Sequence, residues 1–180
     1  MIFDILIQAL YFFVPAYFGN VAPTLVKKIP FLNQAVDMGK TFRGKRIFGK
    51  NKTFRGLFFA SLIGVLSFLL QRWLYQFAWF AKISLFDYTQ MTIWLGFILG
   101  FGAIFGDLIE SFLKRQIGIP SGKPWIPFDQ LDFTVVALLL SSIIYLLEFK
   151  YIIALLLFTP ILHLATHYTG YLLKINKEKI

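Results

Sequence analysis

The sequence predicts an all-α protein that crosses a membrane about five times, with its amino terminus outside and its carboxyl terminus in the cytoplasm. Three observations predict it. Of 180 residues, 58% are hydrophobic and 15% are charged, whereas a soluble domain is usually about half apolar and about a quarter charged. The apolar residues gather into long charge-free runs, on the scale of the ~20 residues that span a bilayer. The basic residues concentrate in every second connection between those runs. The length fits one domain, residues 1–180, with cytoplasmic loops at about 27–55 and 114–128.

The first run covers residues 5–26. Residues 1–10 carry no basic segment and no small-residue cleavage site follows, so the run is read as a mature helix rather than a signal peptide. The second covers 56–71 and continues past Arg72 through Trp73, Tyr75, Phe77, Trp79 and Phe80. Arg72 is expected to snorkel there, with the aromatics as an interfacial belt. The third covers 88–106 and the fifth 151–173. The fourth, 133–147, is short and reaches full length only if its helix starts near Asp129. The connection 148–150 then makes the last two helices an antiparallel hairpin. Pro15, Pro23 and Pro160 fall inside predicted spans, where proline bends a helix.

Five spans put the connections on alternating sides. One side collects fifteen basic residues, from 27–55, 114–123 and the tail from 174; the other has only Arg72, Lys82 and Lys150. Basic loops face the cytoplasm, which orients the chain. The net charge of +9 is thus spread over three loops at a bilayer surface. Lipid headgroups and nucleotide phosphates are its expected partners, not nucleic acid. With no cysteine, disulfides, thiolate nucleophiles and cysteine-based zinc sites are excluded.

Five of the nine acidic residues fall at or near the predicted cytoplasmic face: Asp37, Asp107, Glu110, Asp129 and Asp132. Asp107 and Glu110 end the third run, and Asp129 and Asp132 begin the fourth. Each pair has i, i+3 spacing and so projects from one helical face. Carboxylates at membrane depth are costly and usually functional. Two pairs at one face form a candidate site for magnesium, which takes carboxylate and phosphate oxygens. Taken singly, Glu110 could merely pair with Lys114 at i, i+4, and Asp129 and Asp132 could merely cap a helix. Ser111 and Lys114 share the face of Asp107, an arrangement suited to a bound polyphosphate; the plainer alternative is the basic inner end of a membrane helix.

The first cytoplasmic loop repeats the pentapeptide Lys-Thr-Phe-Arg-Gly at 40–44 and 52–56. Glycines let backbone amides approach an anion while Lys and Arg neutralise it. The segment 44–51 resembles a P-loop, but Asn51 stands where Ser or Thr is required and no soluble strand precedes it. Phosphate binding survives as the expectation, against a polybasic tether that simply holds anionic headgroups. His163 and His167 have the i, i+4 spacing that suits zinc, but no acidic residue lies between them and no third ligand is evident, so packing or hydrogen bonding is the expectation for both. Asn20 lies within the first span, placed to bond across helices or to touch a headgroup. The Gly- and Pro-rich stretch 118–127 connects the acidic pairs, either as a substrate-admitting loop anchored by Trp125 or as a plain connector.

Together these residues resemble the archaeal CDP-archaeol synthases over nearly the whole chain. The likeness runs through Asn20 with Pro23, Asp37, Gly44-Lys45-Arg46-Ile47, Gly49, Asn51-Lys52-Thr53 and Arg55-Gly56. It continues through Gly106-Asp107, Glu110-Ser111, Lys114-Arg115, and Pro127 with Asp129-Gln130-Leu131-Asp132. The second half is also similar to bacterial CDP-diacylglycerol synthases, whose Ser-x-x-Lys-Arg and Asp-Arg-x-Asp segments correspond to 111–115 and 129–132. Gln130 replaces the bacterial Arg, and the bacterial Lys-Asp and His-Gly-Gly stretches are absent.

The resemblance implies a multi-pass cell-membrane enzyme with a cytoplasmic active site. It would transfer CMP from CTP to an unsaturated ether-lipid phosphate, digeranylgeranylglyceryl phosphate, releasing pyrophosphate. It implies Mg2+ held by Asp107, Asp129 and Asp132 with Glu110 as a further ligand. Lys52 and Arg55 would be catalytic. Substrate binding would fall to Asn20, Asp37, Lys45, Arg46, Asn51, Thr53, Ser111, Lys114 and Arg115. Three rival classes are weaker. A CDP-alcohol phosphatidyltransferase lacks its Asp-Gly-x-x-Ala-Arg motif here. A transporter would carry midplane charges. A noncatalytic lipid-binding scaffold would release no pyrophosphate.

Overall fold

The computed structural model describes residues 2–121 and 123–172. The side chain of His167 and the basic tail from residue 174 lie outside the described residues. The chain is mostly helical, and among the described residues three helices are long and apolar enough to cross a membrane: α1 (Ile2–Leu25), α2 (Phe54–Leu74) and α4 (Trp94–Gln116). A two-stranded hairpin, β1 (Thr41–Phe42) and β2 (Lys45–Arg46), stands between α1 and α2. A short helix, α3 (Ala78–Lys82), follows α2, and α5 (Phe128–Ser141) and α6 (Phe149–Leu172) complete the chain.

Helix α4 is the centre of the bundle, packed against α1, α2 and α5. Glycine makes that possible. A Cβ on Gly100 would lie 2.4 Å from the Ala60 carbonyl oxygen, and one on Gly64 would lie 2.5 Å from that of Gly96. Inside a bilayer, where apolar surface gains little from burial, such backbone-to-backbone approach supplies the packing energy. α1 buries Ala9, Phe12, Phe13, Ala16, Gly19 and Ala22, a stripe with helical spacing. α6 is tied to α1 by Tyr17 Oη and Thr159 Oγ1, 2.8 Å apart.

The helix boundaries depart from the hydropathy runs in four places. α2 stops at Leu74 and the aromatic continuation forms the separate α3. The Arg72 guanidinium donates to the Thr89 carbonyl at 2.7 Å. The third helix begins at Trp94 rather than residue 88. Upstream, the Asp87 carboxylate accepts from the Thr89 amide, the Thr89 hydroxyl and Gln90, a local turn that competes with helix, while Tyr88 is buried against Tyr11, Phe68 and Phe86. At its other end α4 runs on to Gln116, so Asp107 and Glu110 lie inside the helix rather than at its end. α5 starts where the acidic residues predicted but stops at Ser141, after 14 residues. Ser141 and Ser142 turn their hydroxyls onto the carbonyls of Leu138 and Leu139. The connection to α6 is therefore residues 142–148, not the tight turn 148–150.

The loop before α2 is built, not frayed. Arg43 (φ 51°) and Gly44 (φ 74°) form a two-residue turn in left-handed backbone, the geometry that matches hairpin twist. The loop is zipped at its base by Val36 N to Lys52 O at 2.8 Å and Phe54 N to Gln34 O at 3.0 Å. Thr53 caps α2, its hydroxyl accepting from the Gly56 amide at 3.3 Å.

Candidate active site

A cavity of about 350 Å³ opens where the first loop, the C-terminal half of α4, the segment after α4, the start of α5 and one face of α6 meet. Its walls carry Asn51 and Lys52 from the loop and Asp107, Glu110, Ser111, Lys114 and Arg115 from α4. Ser121, Lys123 and Pro124 follow, then Asp129 and Asp132 from α5 and His163 from α6.

Asp107, Glu110 and Asp132 converge, each offering one oxygen within 4.8 Å of the others. Gly106 permits it: a Cβ there would lie 2.5 Å from the Asp132 carbonyl oxygen, so the first turn of α5 rests directly on α4. Oxygens on opposite sides of a magnesium ion stand about 4.2 Å apart. The triad is close to that span, and its all-oxygen donor set suits a hard divalent cation. Asp129, the fourth carboxylate expected to bind metal, stands beside the triad, its side chain hydrogen-bonded to that of Glu110. It accepts from Lys114 Nζ at 3.0 Å and from the Trp125 amide at 2.8 Å, and so anchors the segment 117–127 to α5.

Two lysines hold the carboxylates. Lys52 Nζ lies 2.5 Å from both oxygens of Asp107. Lys114 Nζ reaches Glu110 at 2.9 Å and Asp129 at 3.0 Å, joining the two acidic pairs through one ammonium. Ser111 donates to Glu110 at 3.4 Å. Opposite charges this close and poorly solvated attract strongly but lose hydration. Partners with mobile charges can therefore re-pair when a polyanion or cation enters.

The other basic residues of the loop face elsewhere. Arg46 donates to Asp37 through Nε and a terminal nitrogen at 2.9–3.2 Å. Asp37 also accepts from the amides of Gly39, Phe48 and Gly49 at 2.8–3.2 Å. Burial pushes the Asp37 carboxyl up, yet the guanidinium and these three amides outweigh it and hold it well below the usual carboxylate range. Lys45 donates to the Gln116 carbonyl at 2.6 Å, covering the C-terminal end of α4. Arg55 is buried, its guanidinium donating to the Ile29 carbonyl. Of the four basic site residues expected in this loop, Lys45, Arg46, Lys52 and Arg55, only Lys52 lines the cavity; Asn20, Asp37 and Thr53 do not line it.

Ser121, Lys123, Pro124 and His163 line it without having been singled out as site residues. The composition of 118–127 marked a loop, but nothing in the sequence measures how closely that loop folds over the carboxylates. His163 carried a signal, a polar residue in an apolar helix, which packing explained equally well.

The description of the CarS-like family, CDP-archaeol synthase, matches residues 2–179. A CDP-archaeol synthase of Thermococcus onnurineus is 36% identical over 167 residues, covering 92% of each chain. One from Methanocaldococcus jannaschii is 35% identical over 177 residues, covering 98% of each. Among solved structures, an intramembrane enzyme for archaeal membrane lipids biosynthesis superposes with a TM-score of 0.66 at 28% identity, covering 88% of this chain and 91% of that one.

Proposed function

The chain belongs to the CDP-archaeol synthase family, and from that premise we propose that it transfers CMP from CTP to digeranylgeranylglyceryl phosphate at the cytoplasmic face of the cell membrane, releasing pyrophosphate. The observation that carries the reading is the convergence of Asp107, Glu110 and Asp132 with two lysines in one cavity.

An oxygen of the lipid phosphate attacks the α-phosphorus of CTP. The new P–O bond forms as the bond from the α-phosphorus to the bridging oxygen breaks, and the electron pair leaves with pyrophosphate. The nucleophile is already an anion, so no general base is needed. What the site must supply is alignment and neutralisation of charge. Bound to the three carboxylates, Mg2+ would offset negative charge on the reacting phosphates. Lys52 and Lys114 have flexible stems that let their ammonium groups exchange a carboxylate for a phosphate oxygen. Arg115 and Lys123, on the same wall, add charge for the β- and γ-phosphates. Ser111 and Asn51 offer neutral hydrogen bonds.

The cavity also supports the orientation. Loops 26–53 and 117–127 both contribute to one site, so they lie on one side of the membrane, and both are basic. The five-span arrangement fits this only with α5 and α6 counted as spans, α5 being about 21 Å long at 1.5 Å per residue.

The test is pyrophosphate release by purified protein given CTP, magnesium and digeranylgeranylglyceryl phosphate. Stoichiometric release with formation of the CDP-lipid is expected. Tight binding of both substrates without release would leave the scaffold reading in its place.

A further inference from the structure

Helix α6 is apolar from Phe149 to Ala165, and beyond Tyr151 the one ionisable residue in that stretch is His163. A polar side chain in such a helix is costly unless something polar receives it. The inward face of α6 reads Leu155, Thr159, His163, one residue per turn. Leu155 and Thr159 are fully buried, and hydrogen bonds between Thr159 and Tyr17 and between Tyr151 and Gln8 hold this face against α1. One turn further, the same face brings His163 beside the ring of Phe133, with centroids 6.5 Å apart, and onto the wall of the cavity that Asp132 shares. The stripe that packs the bundle core thus ends in an imidazole at the reaction chamber.

The cavity lining comes from two unlike kinds of element. Loop residues such as Asn51 and Lys123 are polar and suit a water-soluble nucleotide. The other contributor is α6, whose outward residues at the level of His163 are exposed and apolar: Ile161, Leu162 and Leu164. A lipid phosphate must keep its chains in hydrocarbon while its headgroup enters the chamber. Moving in past α6 satisfies both demands, and His163 is the polar group on that wall.

Building on the proposed reaction, we propose that His163 forms the lipid-phosphate subsite: its imidazole N–H donates to a non-attacking oxygen of the acceptor phosphate, holding that group beside Asp132 with its attacking oxygen turned towards the nucleotide. His163 thereby discriminates the phosphorylated acceptor from the neutral alcohol.

Steady-state kinetics on full-length His163→Leu and His163→Gln, with CTP and digeranylgeranylglyceryl phosphate varied separately, test this. Leu removes the donor; Gln keeps an N–H. A lost charge-assisted hydrogen bond predicts a roughly tenfold to hundredfold rise in the lipid-phosphate KM for the Leu variant. The KM for CTP should be unchanged, and the Gln variant should recover part of the loss. Thermal stabilisation by the lipid phosphate alone should fall in the Leu variant, while stabilisation by CTP with magnesium persists. Equal rises in both KM values, or a lipid KM unchanged in the Leu variant, would overturn the subsite. If the wild type releases no pyrophosphate, the proposed reaction falls, and the lipid-phosphate stabilisation arm still decides the role of His163.

Discussion

Substituting Gly106 by Ala adds one methyl group where α4 meets the first turn of α5. The new Cβ would lie 2.5 Å from the Asp132 carbonyl oxygen and 2.8 Å from both the Asp132 carbonyl carbon and Phe133 Cα. Each of these is backbone, so no side chain can rotate away. Ordinary contact begins near 3.4 Å, so the start of α5 must retreat by roughly 0.9 Å, carrying Asp132 away from Asp107 and Glu110. Overpacking of this kind costs about 1–3 kcal/mol, and a displacement near 1 Å at reacting groups can cost about a hundredfold in rate. Gly102 is the control. It meets Ala137 in the same helix pair, with a Cβ 2.8 Å from the Ala137 Cα, but one turn away from the carboxylates. Gly106→Ala and Gly102→Ala should lose comparable stability in thermal unfolding. Only Gly106→Ala should lose about a hundredfold in turnover and bind manganese more weakly. Equal turnover losses in the two variants, or a stable Gly106→Ala enzyme with full activity, would refute the claim that this glycine sets the carboxylate geometry.

Four further outcomes are expected. Asp107→Asn, Glu110→Gln and Asp132→Asn should each lower kcat by about a hundredfold or more, because each removes charge from a metal-binding set, and raised manganese should partly restore the mildest variant in a pyrophosphate-release assay; near-normal turnover in all three would exclude the metal site. Lys52→Ala should lower kcat/KM by roughly tenfold to hundredfold with an unchanged melting temperature, whereas Arg55→Ala, which frees the Ile29 carbonyl, should lower the melting temperature itself. Asp37 has a depressed folded pKa, so its contribution is complete above the unfolded value near 3.9 and is lost as pH falls through the folded value; amide exchange at Gly39, Phe48 and Gly49 should stay protected at pH 5 and open only in stronger acid, and Asp37→Asn should weaken that protection even at neutral pH. Single cysteines at Lys50 and Lys123 should label only from the cytoplasmic side and one at Lys82 only from outside, and labelling at Lys50 from outside would overturn the proposed orientation.

The sequence by itself determined the class of protein and the chemistry on offer. Hydropathy is a sum over neighbours in the chain, so the apolar run of α1 and the cores of α2 and α4 could be read without a structure. The i, i+3 spacing of Asp107 with Glu110, and of Asp129 with Asp132, is likewise local, because any helix through those residues puts each pair on one face. The family motifs named the reaction class for the same reason: they are strings. Tertiary structure alone decided which charges meet. Lys45, Arg46, Lys52 and Arg55 lie within eleven consecutive residues, yet only Lys52 enters the cavity, because Asp37, Ile29 and Gln116 claim the others from 9, 26 and 71 residues away. An irregular loop has no period from which side-chain direction can be read; long-range hydrogen bonds set it. The helix ends were decided in the same way, α4 delayed by the turn at Asp87 and α5 cut short at Ser141. The fourth carboxylate, Asp129, meets Lys114, the Trp125 amide and the Glu110 side chain. His163 reached the chamber because of how α6 is turned against α1 and α5, with Tyr17–Thr159 and Tyr151–Gln8 hydrogen bonds to α1, and rotation about a helix axis is a property of the packed bundle.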